Sequence, residues 1–158
     1  MAAFCPAPLV GKRPQGNVPR VLAITAGSFR FTARLEEEAA PLTIAVLRGL
    51  LPLSSQLVQA RWSGESAWVP MGFELELGLG PENANSYPAA GELLLYPGGL
   101  SEVEILFPYG ATCFASKMGQ LAGNHFATIE EGRERLPELG RAVLWEGAQD
   151  ILFEEVPV

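Results

Sequence analysis

Leu93, Leu94, Leu95 and Tyr96 form an unbroken apolar run, and a strand built from them has no polar face to give to water. The run sits in GELLLYPGGLSEVEILF, Gly91 to Phe107. Downstream, Val103, Ile105 and Phe107 recur at every second residue, which is the period of a strand. Between them, Pro97 presets φ while Gly98 and Gly99 accept a positive φ, so the chain can reverse. The stretch predicts a β-hairpin whose first strand is covered on both faces. The rest of the chain has to supply that cover.

With 158 residues, 48% of them apolar, the chain is long enough for one domain with a real core. Met1–Arg20 carries Pro6, Pro8, Pro14 and Pro19 with Gly11 and Gly16, and reads as a flexible N-terminal arm. Residues 21–158 then form a single barrel domain. Val21–Leu35 has strand periodicity, with Phe29, Phe31 and Ala33 alternating with polar residues. The run Glu36, Glu37, Glu38 is a solvated turn, or a complement to a helix dipole. Pro41–Leu51 is a helix with Leu42, Ala45, Val46 and Leu50 on its apolar face.

Gln56–Pro70 reads as a hairpin through a two-residue Ser63-Gly64 turn. That register pairs Ala60 with Ala67 and Val58 with Val69 on the inner face. It sets Arg61 beside Trp68, either as a cation over an aromatic plane or as a surface arginine covering a half-buried ring. Phe73–Leu79 alternates as another strand, and Pro81–Ala90 is a loop. Pro108–Asn124 is a long connection and His125–Ile129 a short strand. Glu134–Trp145 is a helix with Leu136, Leu139, Val143 and Leu144 on one stripe, and Ile151–Val156 is a last strand. Short strands with two helices predict a mainly β fold: a closed β-barrel with two capping α-helices.

The formal charge is −7 and the eleven Lys and Arg are scattered, so no basic stripe is available for nucleic acid or an anionic membrane. No apolar run is long enough to span a bilayer. Two cysteines, Cys5 and Cys113, with Cys5 in the arm, suit a reducing cytoplasm rather than a disulfide. With a single histidine they make no conventional zinc set, and no metal is expected. Gly98-Gly99 lacks the pattern of a phosphate loop, and no cofactor is expected.

His125 is the first candidate for acid–base chemistry near neutral pH, paired with Asn124 on a pocket wall; the bland alternative is a strand-end histidine satisfied by a carbonyl. Cys113 would need His125 to act as a nucleophile, and reads better as a buried, inert thiol. Glu102 and Glu104 fall on one face of a strand, most simply a solvated face. Trp62, Trp68 and Trp145 read as core.

Four segments together resemble the cyclophilin fold. APLTIAVLRGLL, Ala40–Leu51, resembles that family's first helix. GATCFAS, Gly110–Ser116, resembles its Gly-x-x-x-Phe segment, with Phe114 at the proline-pocket phenylalanine. QLAGNH, Gln120–His125, resembles Trp-Leu-x-Gly-x-His, with Leu121, Gly123 and His125 matching. FATIEEG, a helix and QDILFEEV are similar to the closing unit. Arg61 stands where the catalytic arginine of a prolyl isomerase would, but no Phe-Met-x-Gln follows, and Gln120 replaces the tryptophan. RWSGE, ENANSY, GELLLYPGG and AGNHFATI look more like divergent, uncharacterised microbial cyclophilin-like proteins. Related domains occur in allophanate hydrolase subunits, which act on urea-derived amides.

The resemblance implies a ligand-binding domain that holds a small polar molecule, an amide or carboxylate, where a cyclophilin holds proline. Arg61, Phe114, Gln120 and His125 fall on its pocket positions, and Tyr109, Cys113 and Asn124 lie beside the matched segments. Whether such a domain is an enzyme stays open. The alternatives are a weak peptidyl-prolyl isomerase and a non-catalytic homo-oligomeric assembly subunit.

Overall fold

The computed structural model describes residues 18–158. The expected arm lies mostly outside the described residues, and Arg20 already opens the first strand. The long strands are β1 (Arg20–Ala26), β2 (Phe29–Leu35), β3 (Leu53–Gln59), β4 (Gly64–Gly72), β6 (Glu92–Tyr96), β7 (Val103–Thr112), β10 (Gly123–Glu131) and β11 (Gln149–Pro157). Two-residue strands β5 (Ala84–Asn85), β8 (Ala115–Ser116) and β9 (Gly119–Gln120) lie between them. The helices are α1 (Pro41–Leu50) and α2 (Leu136–Glu146), the latter entered through a 3-10 turn at Arg133–Arg135.

The eight long strands close a ring in the order β2-β1-β11-β3-β4-β7-β6-β10, with β10 pairing back onto β2, all antiparallel. Closure leaves no long unpaired edge. The expected closed barrel with two helices is therefore present. Its interior is built by alternation: Phe29, Phe31, Ala33 and Leu35 of β2, Leu93 and Leu95 of β6, and Val103, Ile105 and Phe107 of β7 all point inward. Ile44 and Leu47 of α1 and Leu136, Leu139, Ala142 and Val143 of α2 join the same core.

The opening hairpin is β6–β7, with Leu94 opposite Leu106, Leu95 opposite Ile105 and Tyr96 opposite Glu104. Both faces of β6 are covered. Outside the barrel, Leu94, Tyr96, Leu106, Phe114 and Leu121 form a second buried cluster against which Trp68 packs. The cover is the segment that carries β8 and β9, folded back over the sheet. Ser63 ties it down: its hydroxyl donates to the Ala115 carbonyl and accepts from the Ala115 amide, both at 3.1 Å. The Phe114 amide donates to the Ser86 carbonyl at 2.7 Å. Gly123 makes room beneath, since a Cβ there would lie 2.9 Å from the Leu94 Cβ and 3.1 Å from the Phe114 ring.

Several local expectations are corrected. The β3–β4 hairpin is not a two-residue turn: the loop spans Ala60–Ser63, and Val58 pairs with Trp68 and Gln59 with Ala67. This is a slip of one residue from the expected register, and a slip of one exchanges the faces of a strand. Leu57, not Val58, is therefore in the core. Phe73–Leu79 forms no ladder, although Leu75, Leu77 and Leu79 pack on the core, so its alternation records burial and not pairing. The expected long connection after Phe107 begins later, because β7 runs on to Thr112.

On α1 the buried face is Thr43, Ile44 and Leu47, while Leu42 is 66% exposed. A cap explains the choice of face. Ala40 offers no side-chain cap, and Glu82 supplies one from a distant loop: the Leu42 amide donates to Oε1 at 3.1 Å, and the Thr43 amide and hydroxyl donate to Oε2 at 2.7 Å each. A carboxylate there also complements the positive end of the helix dipole. On α2 the stripe is as expected except for Leu144, which is exposed. Its close approach to the barrel is at Gly140, where a Cβ would collide with the Tyr109 ring.

Truncation tests the outer layer. Leu94→Ala and Phe114→Ala each remove a fully buried side chain from the outer cluster and should cost about 2–5 kcal/mol in urea unfolding. Losses below about 1 kcal/mol would mean that the β8–β9 segment is not seated on the sheet in solution.

Candidate functional site

Cross-strand register lays Val58, Trp68, Leu106, Leu94 and His125 in one row across the outer face, from β3 to β10. The next row holds Pro70, Glu104 and Tyr96. The β8–β9 cover closes the Leu94 end of these rows. At the other end, over Trp68, Leu106 and Glu104, the cover stops and a pocket of about 370 Å³ remains. The β3–β4 loop walls it with Arg61 and Trp62, the segment after β4 with Phe73, and the β8 turn with Ser116 and Lys117.

Glu104 is the unusual group. The residue is only 7% exposed, and no hydrogen bond to its carboxyl is found among the described residues; the one fully buried side-chain polar atom without a partner there is Ser66 Oγ, so the Glu104 oxygens keep some contact with solvent. Its neighbour Glu102 is engaged, with Oε2 accepting from the Gly72 amide at 2.9 Å. Burial first, and the nearby Glu102 second, push the Glu104 carboxyl up to about 7. The expectation of a solvated face for Glu102 and Glu104 is therefore corrected. The strand partner of Glu104 is Tyr96 of the doubly covered strand, so this stretch of the outer face is mostly covered. That was the signal available in the sequence: an acid facing the outside of a hairpin whose outside must be covered. Burying an unpaired carboxyl is costly, and such groups concentrate at working sites.

The residues expected to bind a ligand do not share one cavity. Arg61 lines the pocket and is exposed. Phe114 is fully buried in the outer cluster, edge-on to Tyr96 at 5.7 Å between ring centroids. Gln120 is exposed on β9, where the Tyr87 hydroxyl donates to its Oε1 at 3.1 Å. Cys113 is exposed rather than buried, which corrects the inert-core reading. Tyr109 faces inward, and its hydroxyl donates to Gln59 Oε1 at 2.8 Å; burial, the largest influence, raises its phenol. The tryptophans are not core either: Trp62 and Trp145 are exposed and Trp68 half-buried. The one cation over an aromatic ring is Arg135 on Phe29, at 4.5 Å, among the described residues.

Asn124 and His125 point to opposite sides of β10. Asn124 is buried and saturated: Oδ1 accepts from the Glu82 amide at 3.0 Å, and Nδ2 donates to Thr43 Oγ1 at 3.1 Å and to the Gly80 carbonyl at 3.0 Å. His125 Nε2 lies 2.9 Å from Thr128 Oγ1, which donates to Glu36 Oε1 at 2.7 Å. Residues three apart on a regular strand face opposite ways, but a bulge between His125 and Ala127 brings these two to one face. Because the threonine proton is given to Glu36, Nε2 is the imidazole nitrogen that carries hydrogen. Partial burial works to raise Glu36, but hydrogen bonds from Arg34 and Thr128 outweigh it and hold the carboxyl below its usual range. Three strand spacings, about 14 Å, separate the β4 and β10 ends of the outer row, so His125 does not reach the Glu104 pocket.

No group of three or more metal-ligating side chains is gathered among the described residues. Among the described residues, no helix is long and apolar enough to cross a membrane.

A family model described as "Protein of unknown function (DUF3830)" matches residues 22–154. The chain belongs to the DUF3830 family. Two solved structures share the fold of this DUF3830 chain. One is McbB in complex with tryptophan, at 20% identity and a TM-score of 0.63, covering 84% of this chain. The DUF3830 chain spans only 44% of McbB. The other is the solution structure of the hypothetical protein AF2241 from Archaeoglobus fulgidus, at 20% identity and a TM-score of 0.57, covering 90% of this chain and 98% of that one. No curated protein matches the chain.

The environment of Glu104 makes a pH prediction. Below about pH 4.5 the carboxyl is protonated in both folded and unfolded chains. Between 4.5 and about 7 the unfolded chain ionises first, so stability is lost as pH rises through that window. The loss amounts to about 3 kcal/mol at most. Glu104→Gln should remove it, leaving the variant more stable than wild type at pH 8 and equal to it at pH 4. Parallel urea stabilities for the two proteins across this range would show instead that the carboxyl is solvated.

Proposed function

We propose that this domain binds a small molecule with an aromatic or apolar body, an anionic or amide oxygen at one end and a hydrogen-bond donor at the other. The observation that carries the reading is Glu104, a buried carboxyl without a partner at the floor of a pocket. A donor from the ligand would satisfy it, and an ammonium or amide N–H is the natural complement. Trp68 and Leu106 offer the ring a flat apolar bed. Arg61 and Lys117 offer charge to a carboxylate or amide oxygen, and the planar guanidinium suits either. The amide or carboxylate end is the one expected from the sequence; the aromatic or apolar body is added on account of Trp68 and Leu106. The ligand's place shifts from the proline groove, which Phe114 and Leu121 fill, to the neighbouring pocket.

McbB was solved with tryptophan, an aromatic molecule with an ammonium and a carboxylate. Its likeness to this chain extends to the fold, and tryptophan serves here as a first probe. Thermal-shift and tryptophan-fluorescence titrations with L-tryptophan, indole-3-acetamide and phenylpyruvate test the reading. A ligand at a hundredfold its Kd should stabilise the fold by about 2.7 kcal/mol. Arg61→Ala should weaken a carboxylate ligand about tenfold or more. Glu104→Gln should weaken tryptophan, which loses its counter-charge, and spare phenylpyruvate. Binding unaffected by either variant would put the site elsewhere.

The enclosed Phe114 leaves no bed for a proline ring, so a protease-coupled proline-peptide assay should read the uncatalysed rate. A cyclophilin-like rate lost on Arg61→Ala would restore the isomerase reading.

A further inference from the structure

We infer that the Glu104 pocket is catalytic, and that it moves a proton between carbon and oxygen of a bound aryl keto acid. The inference rests on the binding site proposed above and names its chemistry. Three features of the pocket carry it. Glu104 is more than nine-tenths buried as a residue, and its carboxyl, which keeps some solvent contact, makes no internal hydrogen bond among the described residues, so its lone pairs are spent on nothing in the protein. Trp68 and Leu106 beside it limit the water that can solvate it, which strengthens a carboxylate as a base. Arg61 and Lys117 line the same cavity and supply positive charge for an oxygen that becomes negative.

The other groups fit no competing chemistry as well. Ser116 reaches the pocket, but its hydroxyl accepts from the Met118 amide at 3.0 Å and has no base beside it. His125 lies across the covered part of the sheet, tied to Thr128. Cys113 is not among the residues lining the pocket. A base enclosed by apolar walls with cations on the rim is suited to the removal of a proton next to a carbonyl. A carboxyl that titrates near neutrality can both take that proton and give it back.

The step balances without a co-reactant. Glu104 takes the proton from the carbon between the aromatic ring and the ketone. The C–H electron pair becomes the C=C bond of an enolate, and the carbonyl π pair moves onto oxygen, facing Arg61 and Lys117. Return of the proton to carbon restores the ketone. Delivery of a proton to oxygen, from Lys117 or water, gives the enol, and exchange with solvent resets Glu104 and Lys117. Nothing is oxidised or reduced.

Phenylpyruvate is the probe, because its CH₂ lies between ring and ketone and its carboxylate matches the cationic rim. Loss of the CH₂ proton signal in D₂O is followed by NMR, with binding measured separately by thermal shift. Wild type should accelerate exchange at least a hundredfold over the same concentration of free glutamate, within the usual range for a positioned acid–base group. Glu104→Gln should abolish the acceleration and keep the thermal shift. Glu104→Asp, which retains the carboxyl at a shorter reach, should recover part of the rate. Binding without exchange, or exchange unchanged in Glu104→Gln, overturns the catalytic inference and leaves the binding site standing. Neither binding nor exchange by the folded wild type overturns both.

Discussion

The outward burial of Leu94 is the constraint on which much of this molecule depends. A strand in a barrel wall normally needs apolar cover on one side only. Here Leu93 and Leu95 fill the interior while Leu94 needs a second layer outside. Fully burying a leucine is worth about 1.5–3 kcal/mol, and the outer cluster gathers several large side chains in addition. That gain holds the β8–β9 segment against the sheet. The small parts around it serve this fit: Gly123 yields space to Phe114, and Ser63 clamps both polar groups of Ala115.

The same layer makes the site. The cover seals one end of the outer face and stops short at the other, which leaves Glu104 largely screened from water without giving it a protein partner. A carboxyl in that position has lost much of its hydration and gained no hydrogen bond in exchange, and the pocket above it is where a ligand can make up the loss. Structural need and functional opportunity therefore share one origin. Packing that stabilises Leu94, Leu106 and Phe114 also places an energetically unfavourable group beside them.

Elsewhere the polar residues that look chemically capable are spent on holding the fold. Glu82 caps α1 from another part of the chain, and Asn124 braces that cap. His125 is locked by Thr128 and Glu36. Each satisfies a buried or half-buried group, and each is saturated or nearly so. Glu104 differs from them in having no hydrogen bond from the protein among the described residues, and this contrast, more than residue type, separates a working group from a structural one.

By itself the sequence determined what depends on local periodicity and on composition. The β6–β7 hairpin was legible because a run of leucines and the alternation of Val103, Ile105 and Phe107 are properties of adjacent residues. The barrel class followed from many short strands with two helices between them. Tertiary structure alone decided what depends on residues distant in the chain. The β3 register turned on a loop whose anchor is Ser63 against Ala115, and one residue of slip exchanged Leu57 for Val58 in the core. The buried face of α1 turned on a cap from Glu82. Arg61 lines a pocket, whereas Phe114 and Asn124 are drawn into packing and hydrogen bonds that no local pattern records. By local pattern Glu104 is an ordinary alternating polar residue, and only the cover that its hairpin needs marks its face. Its chemistry comes from desolvation, a property of everything folded around a group rather than of the group itself.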